Sequence, residues 1–118
     1  MEVKFERRVE KVDGKLRFYH PRIYLSGPIT GYDIEERKCY FGSIEKGFEK
    51  AGFEVVNPLK NGLPESATYE EHIKKGIELL LTCDSIAMLP DSDKSKGAML
   101  EQHIADVVGI TKIKVSLV

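Results

Sequence analysis

Arg22-Ile-Tyr-Leu-Ser-Gly-Pro-Ile-Thr-Gly31 joins a short apolar run of strand length to a loop bracketed by glycines. A buried strand that ends in such a turn is the place where parallel α/β sheets grip ligands. Downstream, Asp33 stands three residues before Glu36, a spacing that caps a helix start. Ile34, Phe41, Ile44, Phe48 and Ala51 then recur at helical spacing and are expected to face the sheet, with Gly52 as the stop. Phe53-Glu-Val-Val56 reads as the next strand and breaks at Asn57-Pro58. Strand, helix and strand in succession predict a parallel pair with a helical crossover.

The same alternation continues to the end of the chain. Thr68 and Glu71 form a second capping box, and the spacing predicts a helix over 69–82 that buries Ile73, Ile77, Leu80 and Leu81. Asp84-Ser-Ile-Ala-Met-Leu-Pro90 reads as a buried strand, 91–95 as an acidic loop, 96–108 as a helix and 112–118 as a last strand. The expected fold is α/β, a small doubly wound (flavodoxin/Rossmann-like) parallel sheet over 21–118. Residues 1–20 read as a β-hairpin appendage, with Val3, Phe5, Leu16 and Phe18 on either side of an Asp13-Gly14 turn. Its mixed charge suits a subunit contact or a sheet extension better than a nucleic-acid arm.

Composition narrows the function classes. A chain of 118 residues, 42% hydrophobic and 31% charged, has room for one packed domain. Its 18 basic and 19 acidic side chains give a net charge of −1, so nothing draws it to nucleic acid or anionic lipid. No apolar run approaches the roughly 20 residues that span a bilayer, and the first residues lack a signal-peptide apolar region, so a cytoplasmic location is expected. Cys39 and Cys83 have no paired-thiol spacing, and His20, His72 and His103 are scattered. Neither a disulfide nor a metal site is expected, and no cofactor is called for.

Candidate chemistry gathers near the carboxyl ends of the strands. On the last helix Gly97, Leu100, Ile104, Ala105 and Val108 make an apolar stripe, and Glu101 lies on it, away from Gln102, His103 and Asp106. A carboxylate aimed inward needs a partner or a use, because unpaired burial costs several kcal/mol or raises its pKa; the alternative is a helix-edge glutamate that reaches water. Ser95-Lys-Gly97 opens the same helix, where free amides, a serine hydroxyl and a glycine suit a phosphate, or where the serine is simply a cap. The loop Ser26, Gly27, Pro28, Ile29 is a candidate ligand contact, although it lacks the three glycines of a dinucleotide fingerprint. Tyr24, just before it, either polarises a neighbouring carboxylate or packs. Asp84 is expected to end secondary structure beside the pocket, and Asp91 and Asp93 to lie in a solvated loop.

Taken together, Ile23-Tyr-Leu-Ser-Gly-Pro-Ile-Thr-Gly31, Val55-Val-Asn-Pro58, Leu81-Thr-Cys-Asp84 running to Met88-Leu-Pro90, and Ser95-Lys-Gly-Ala-Met-Leu-Glu101 with Ala105 and Gly109 resemble the nucleoside 2-deoxyribosyltransferase-like superfamily. The resemblance spans about 22–110 and is nearest to short bacterial and phage members. It implies that Glu101 attacks the anomeric carbon of a nucleoside or nucleotide to give a covalent glycosyl-enzyme, that Tyr24 orients this glutamate, and that Ser95 and Gly97 favour a 5′-monophosphate. It also implies a homo-oligomer, most simply a homodimer, whose sites a neighbour completes. Two departures stand out. Gly76 occupies the position of an aspartate that helps manage the base and its proton, and the sequence stops at Val118, short of the segment that reaches a neighbouring site in larger transferases.

Two further functions share these features. A non-catalytic nucleotide-binding protein, a sensor or sequestering protein, would keep the anion site and tolerate Gly76. A flavodoxin-like electron carrier would share the architecture, but the first loop lacks the hydroxyl run of its phosphate site and no aromatic pair flanks a flavin position.

Overall fold

A computed structural model describes residues 3–4, 9–12, 15–18 and 22–117. The elements in chain order are β1 (Val3–Lys4), β2 (Val9–Val12), β3 (Lys15–Phe18), β4 (Arg22–Ser26), α1 (Ile34–Lys50), β5 (Glu54–Val56), α2 (Tyr69–Leu80), β6 (Ser85–Met88), α3 (Lys96–Val108), β7 (Thr111–Lys114) and β8 (Ser116–Leu117). Strands β4 to β7 form one parallel sheet in the order β5-β4-β6-β7.

That order dictates the layers. The chain steps from β4 to one side to make β5, then returns across β4 to make β6 and β7. Right-handed crossovers therefore put α1 on one face and α2 and α3 on the other. The core divides accordingly. Phe41, Ile44 and Phe48 of α1 pack with Ile23, Leu25, Ala87 and Leu89, whereas Leu80 of α2 and Ala105 of α3 pack with Tyr24, Val56 and Ile86. Alternate residues of β4 thus serve opposite layers, as a pleated strand requires. Burial of each large α1 side chain contributes about 1.5–3 kcal/mol.

Caps set the helix bounds. Asp33 accepts from the Glu36 amide at 2.9 Å, Thr68 and Glu71 form a reciprocal capping box, and Gly52, at φ 97°, takes the left-handed turn after α1. Several buried faces differ from the sequence expectation. Ile34 is 46% exposed, and Arg37 occupies the inward stripe with Phe41, Ile44 and Phe48. α2 ends at Leu80, which leaves Leu81 exposed. On α3 the buried positions are Ala98, Glu101 and Ala105, while Leu100 and Val108 face out at 41% and 52% exposure. Small side chains at 98 and 105 let α3 lie close to the sheet, and this turns the larger apolar residues away.

At the N-terminus β2 pairs antiparallel with β3, Val12 opposite Lys15; the Asp13-Gly14 turn, Phe5 and His20 lie outside the described residues. Val3 does not extend this pair. Its continuation would set Val3 against Tyr24, already committed to the parallel sheet, and β1 instead pairs antiparallel with β8. The expected strand 112–118 is therefore two, β7 and β8, with buried Val115 between them.

Candidate active site

The doubly wound order reverses at β4 and β6, whose connections leave toward opposite faces, so their carboxyl ends border a crevice of the kind that binds ligands in this class of sheet. Ser26 ends β4 there, and the Leu89 amide donates to its carbonyl at 2.9 Å, which prolongs the β4–β6 pairing. Tyr24 and Ser26 are two residues apart on one strand, so both point to the α2/α3 face. On α3, Glu101 sits between Ala98 and Ala105 on the buried side.

The three side chains meet. The Tyr24 hydroxyl donates to Glu101 Oε2 at 2.5 Å, and the Ser26 hydroxyl donates to Glu101 Oε1 at 3.0 Å, with the Ala98 carbonyl a further 3.4 Å partner for Ser26. Glu101 is only 9% exposed. Burial pushes its pKa up to about 7, against the pull of the two hydroxyl donors. The Tyr24 phenol is pushed well above its usual range by burial and by the adjoining carboxylate, so it stays protonated and remains a donor. The result is a carboxylate poised near neutrality with both oxygens oriented, an arrangement suited to nucleophilic or acid–base work.

Gly76 of α2 completes the enclosure. A Cβ at this position would lie 2.9 Å from Tyr24 Oη and 3.0 Å from Glu101 Oε2, so the backbone of α2 is pressed against the pair. An aspartate here would displace one of them.

Ser95 and Gly97 lie at the start of α3. Ser95 is its N-cap and accepts from the Ala98 amide at 3.2 Å, which leaves its own O–H free to donate. Space around Gly97 is bounded by Ile73 and the Tyr69 hydroxyl, both from α2. Six residues of helix separate Ser95 from Glu101, about 9 Å along the axis. Of the loop residues, Gly27 is wedged against Leu89 and Phe41, Pro28 is buried, and Ile29 packs on the α1-side core.

Asp84 is not brought to the site. It precedes β6, where its carboxylate accepts from the Arg22 amide at 2.9 Å, so it lies at the amino edge of the sheet, about 13 Å of strand from Ser26. There it lines an open groove of about 440 Å³ with Leu81, Cys83 and Thr111. Asp84 is close in sequence to the carboxyl end of β6, but parallel strands put their starts and ends at opposite edges. Among the described residues, no three His, Cys, Asp or Glu side chains gather to hold a metal, and no helix is long and apolar enough to cross a membrane.

Arg37 is not among the residues that the sequence points to as functional. It is 7% exposed and reaches back to the loop after β4, where one guanidinium N–H donates to the Pro28 carbonyl at 3.1 Å. Its spacing from Phe41, Ile44 and Phe48 is the signal that marks it as inward-facing.

A four-stranded parallel sheet in this order, with helices on both faces, is the fold of the nucleoside 2-deoxyribosyltransferase-like proteins. Among solved structures, a 2-deoxyribosyltransferase from the psychrotolerant bacterium Bacillus psychrosaccharolyticus matches with a TM-score of 0.60 and 21% sequence identity, over 77% of this chain and 69% of that one. The chain belongs to the family described as a domain of unknown function, DUF4406, which matches residues 21–114. No curated protein matches it in sequence.

Proposed function

We propose that this protein cleaves or transfers the N-glycosidic bond of a (deoxy)ribonucleotide through a covalent glycosyl-glutamate at Glu101. The observation that carries the reading is the buried Glu101 carboxylate held by Tyr24 and Ser26 at the switch point. In the first step a Glu101 oxygen bonds to C1′ as the C1′–N bond breaks, and its electron pair leaves with the base. The carboxylate offsets the oxocarbenium-like charge that develops between these events. Water, or a second base, then attacks C1′ and frees Glu101. Tyr24 keeps one carboxylate oxygen fixed and hydrogen-bonded while the other reacts. The departing base takes its proton from solvent or from a group beyond this constellation, because Gly76 supplies none.

A 5′-monophosphate is the preferred ligand in this reading. The Ser95 hydroxyl and the free amides opening α3 suit the phosphate. The helical distance from there to Glu101 leaves room for the pentose. Support for a homo-oligomer comes from the apolar side chains left exposed just after α2 and on α3, Leu81, Leu100, Val107 and Val108; light scattering that shows a monomer at micromolar concentration overturns that part.

The test is incubation of the pure protein with a panel of nucleosides and 5′-monophosphates, with free base read by chromatography and binding by calorimetry. Base release from monophosphates, above that from nucleosides, is expected. Binding without release replaces the enzyme by a nucleotide-binding protein, and binding of neither class leaves only the fold.

A further inference from the structure

We propose that Arg37 is a positioning residue that clamps the loop 27–32, which follows Ser26 at the carboxyl end of β4, onto α1, and that ligand affinity depends on this clamp. Its role in affinity rests on the nucleotide reading above; the clamp itself does not.

Adjacent residues on a helix diverge by about 100°, and so do not face each other. Glu36 and Arg37 nevertheless form a two-pronged ion pair, Nε to Oε2 and a terminal nitrogen to Oε1. Both side chains must bend toward each other to do so. Glu36 gives up the return bond of a capping box for this contact: the Asp33 side chain still caps the Glu36 amide, but the Glu36 carboxylate serves Arg37. The paired fork holds the guanidinium plane, and the remaining nitrogen is aimed at the Pro28 carbonyl.

The faces of that plane are used as well. The rings of Tyr32 and Tyr40 each have their centroid 4.5 Å from Arg37 Cζ. Tyr40 belongs to α1, one turn on from Arg37, whereas Tyr32 lies at the far end of the loop. Arg37 therefore ties the loop at Pro28 and at Tyr32 to a rigid helix, and the Tyr32 amide closes a turn onto the Ile29 carbonyl at 3.2 Å between them. These contacts account for a guanidinium at a position in line with Phe41, Ile44 and Phe48. A surface-exposed salt bridge would need neither its burial nor the two rings.

This predicts a division that a residue serving only stability would not show. In Arg37→Ala, hydrogen exchange of the Tyr32 amide, which is bonded to the Ile29 carbonyl, should accelerate at least tenfold relative to wild type, while amides of β4 and β6 stay within about threefold. Affinity for nucleoside 5′-monophosphates should fall about tenfold, and where turnover is measurable the loss should appear in KM with kcat within about twofold. Arg37→Lys keeps the charge but loses the fork and should rescue only part of the exchange protection. Tyr32→Phe keeps the ring face and should match wild type, whereas Tyr32→Ala should loosen the loop. Uniform acceleration across the sheet in Arg37→Ala makes Arg37 an ordinary core contact and overturns the proposal, as does unchanged exchange at the Tyr32 amide. Should wild type bind no nucleotide, the exchange data still decide the clamp, and the nucleotide reading fails separately.

Discussion

Replacing Glu101 by glutamine should raise the stability of the protein, and by an amount that depends on pH. The carboxyl has a pKa of about 7 in the folded chain against an ordinary 4.5. Such a group favours the folded state fully below pH 4.5 and loses that contribution as pH rises through 7, since the unfolded chain ionises freely while the folded site holds its proton. With 1.36 kcal/mol per pKa unit, wild type should lose about 3 kcal/mol between pH 4.5 and 8 from this residue alone. The amide carries no such cost. Its bonds can be met without moving a heavy atom: Tyr24 donates to the amide oxygen, and the amide nitrogen donates to Ser26 Oγ, whose hydrogen turns to the Ala98 carbonyl. Urea denaturation of both proteins at pH 5 and pH 8 measures the effect. The advantage of Glu101→Gln over wild type should grow between these pH values by about 2–3 kcal/mol, on the order of 1–3 M in midpoint. An advantage that is the same at both pH values within about 0.5 kcal/mol would refute the desolvated carboxylate and with it the claim of a poised nucleophile.

Tyr24→Phe removes the donor that lowers the Glu101 pKa, so the ionisation governing activity should move to higher pH, with rate lost at pH 7 and partly regained at pH 9 in a pH–rate profile. Gly76→Ala should cost about 1–3 kcal/mol despite the better helix propensity of alanine, because its Cβ collides with Tyr24 Oη and Glu101 Oε2; Gly42→Ala, which meets nothing within 4 Å on α1, should gain up to about 1 kcal/mol in the same melts. Ser95→Ala loses the cap on Ala98 and about 1 kcal/mol of stability together with any phosphate contact. Ser95→Asp keeps a cap but opposes a phosphate charge, so calorimetry should show monophosphate binding lost and nucleoside binding retained.

Local pattern made most of the architecture legible. The run at 22–26, the cap pairs at Asp33 and Thr68 and the glycine at 52 each express short-range chemistry, and the elements follow them closely. Tyr24, Ser26 and Glu101 were also within reach, since a strand repeats every second residue and a glutamate on an apolar helix flank must be satisfied. What could not be read depends on how elements meet. The face that α3 presents is chosen by Ala98 and Ala105 fitting the sheet, and no periodicity within the helix distinguishes that rotation from one burying Leu100 and Val108. Spacing marks Arg37 as inward-facing, but its role does not follow from that, because Pro28 and Tyr32 become its partners only once the loop has folded back over α1. The β1–β8 pairing joins the two ends of the chain, a contact of the largest sequence separation available, and Asp84 lies at the sheet edge opposite the site.

The most direct test of the central claim is the intact mass of the protein quenched in acid during incubation with a 2′-deoxynucleoside 5′-monophosphate at pH 8. The account predicts a population heavier by one deoxyribosyl phosphate residue, localised by peptide mapping to Glu101 and absent from Glu101→Gln. Free base released by wild type with no adduct at any quench time, or released equally by Glu101→Gln, would contradict it.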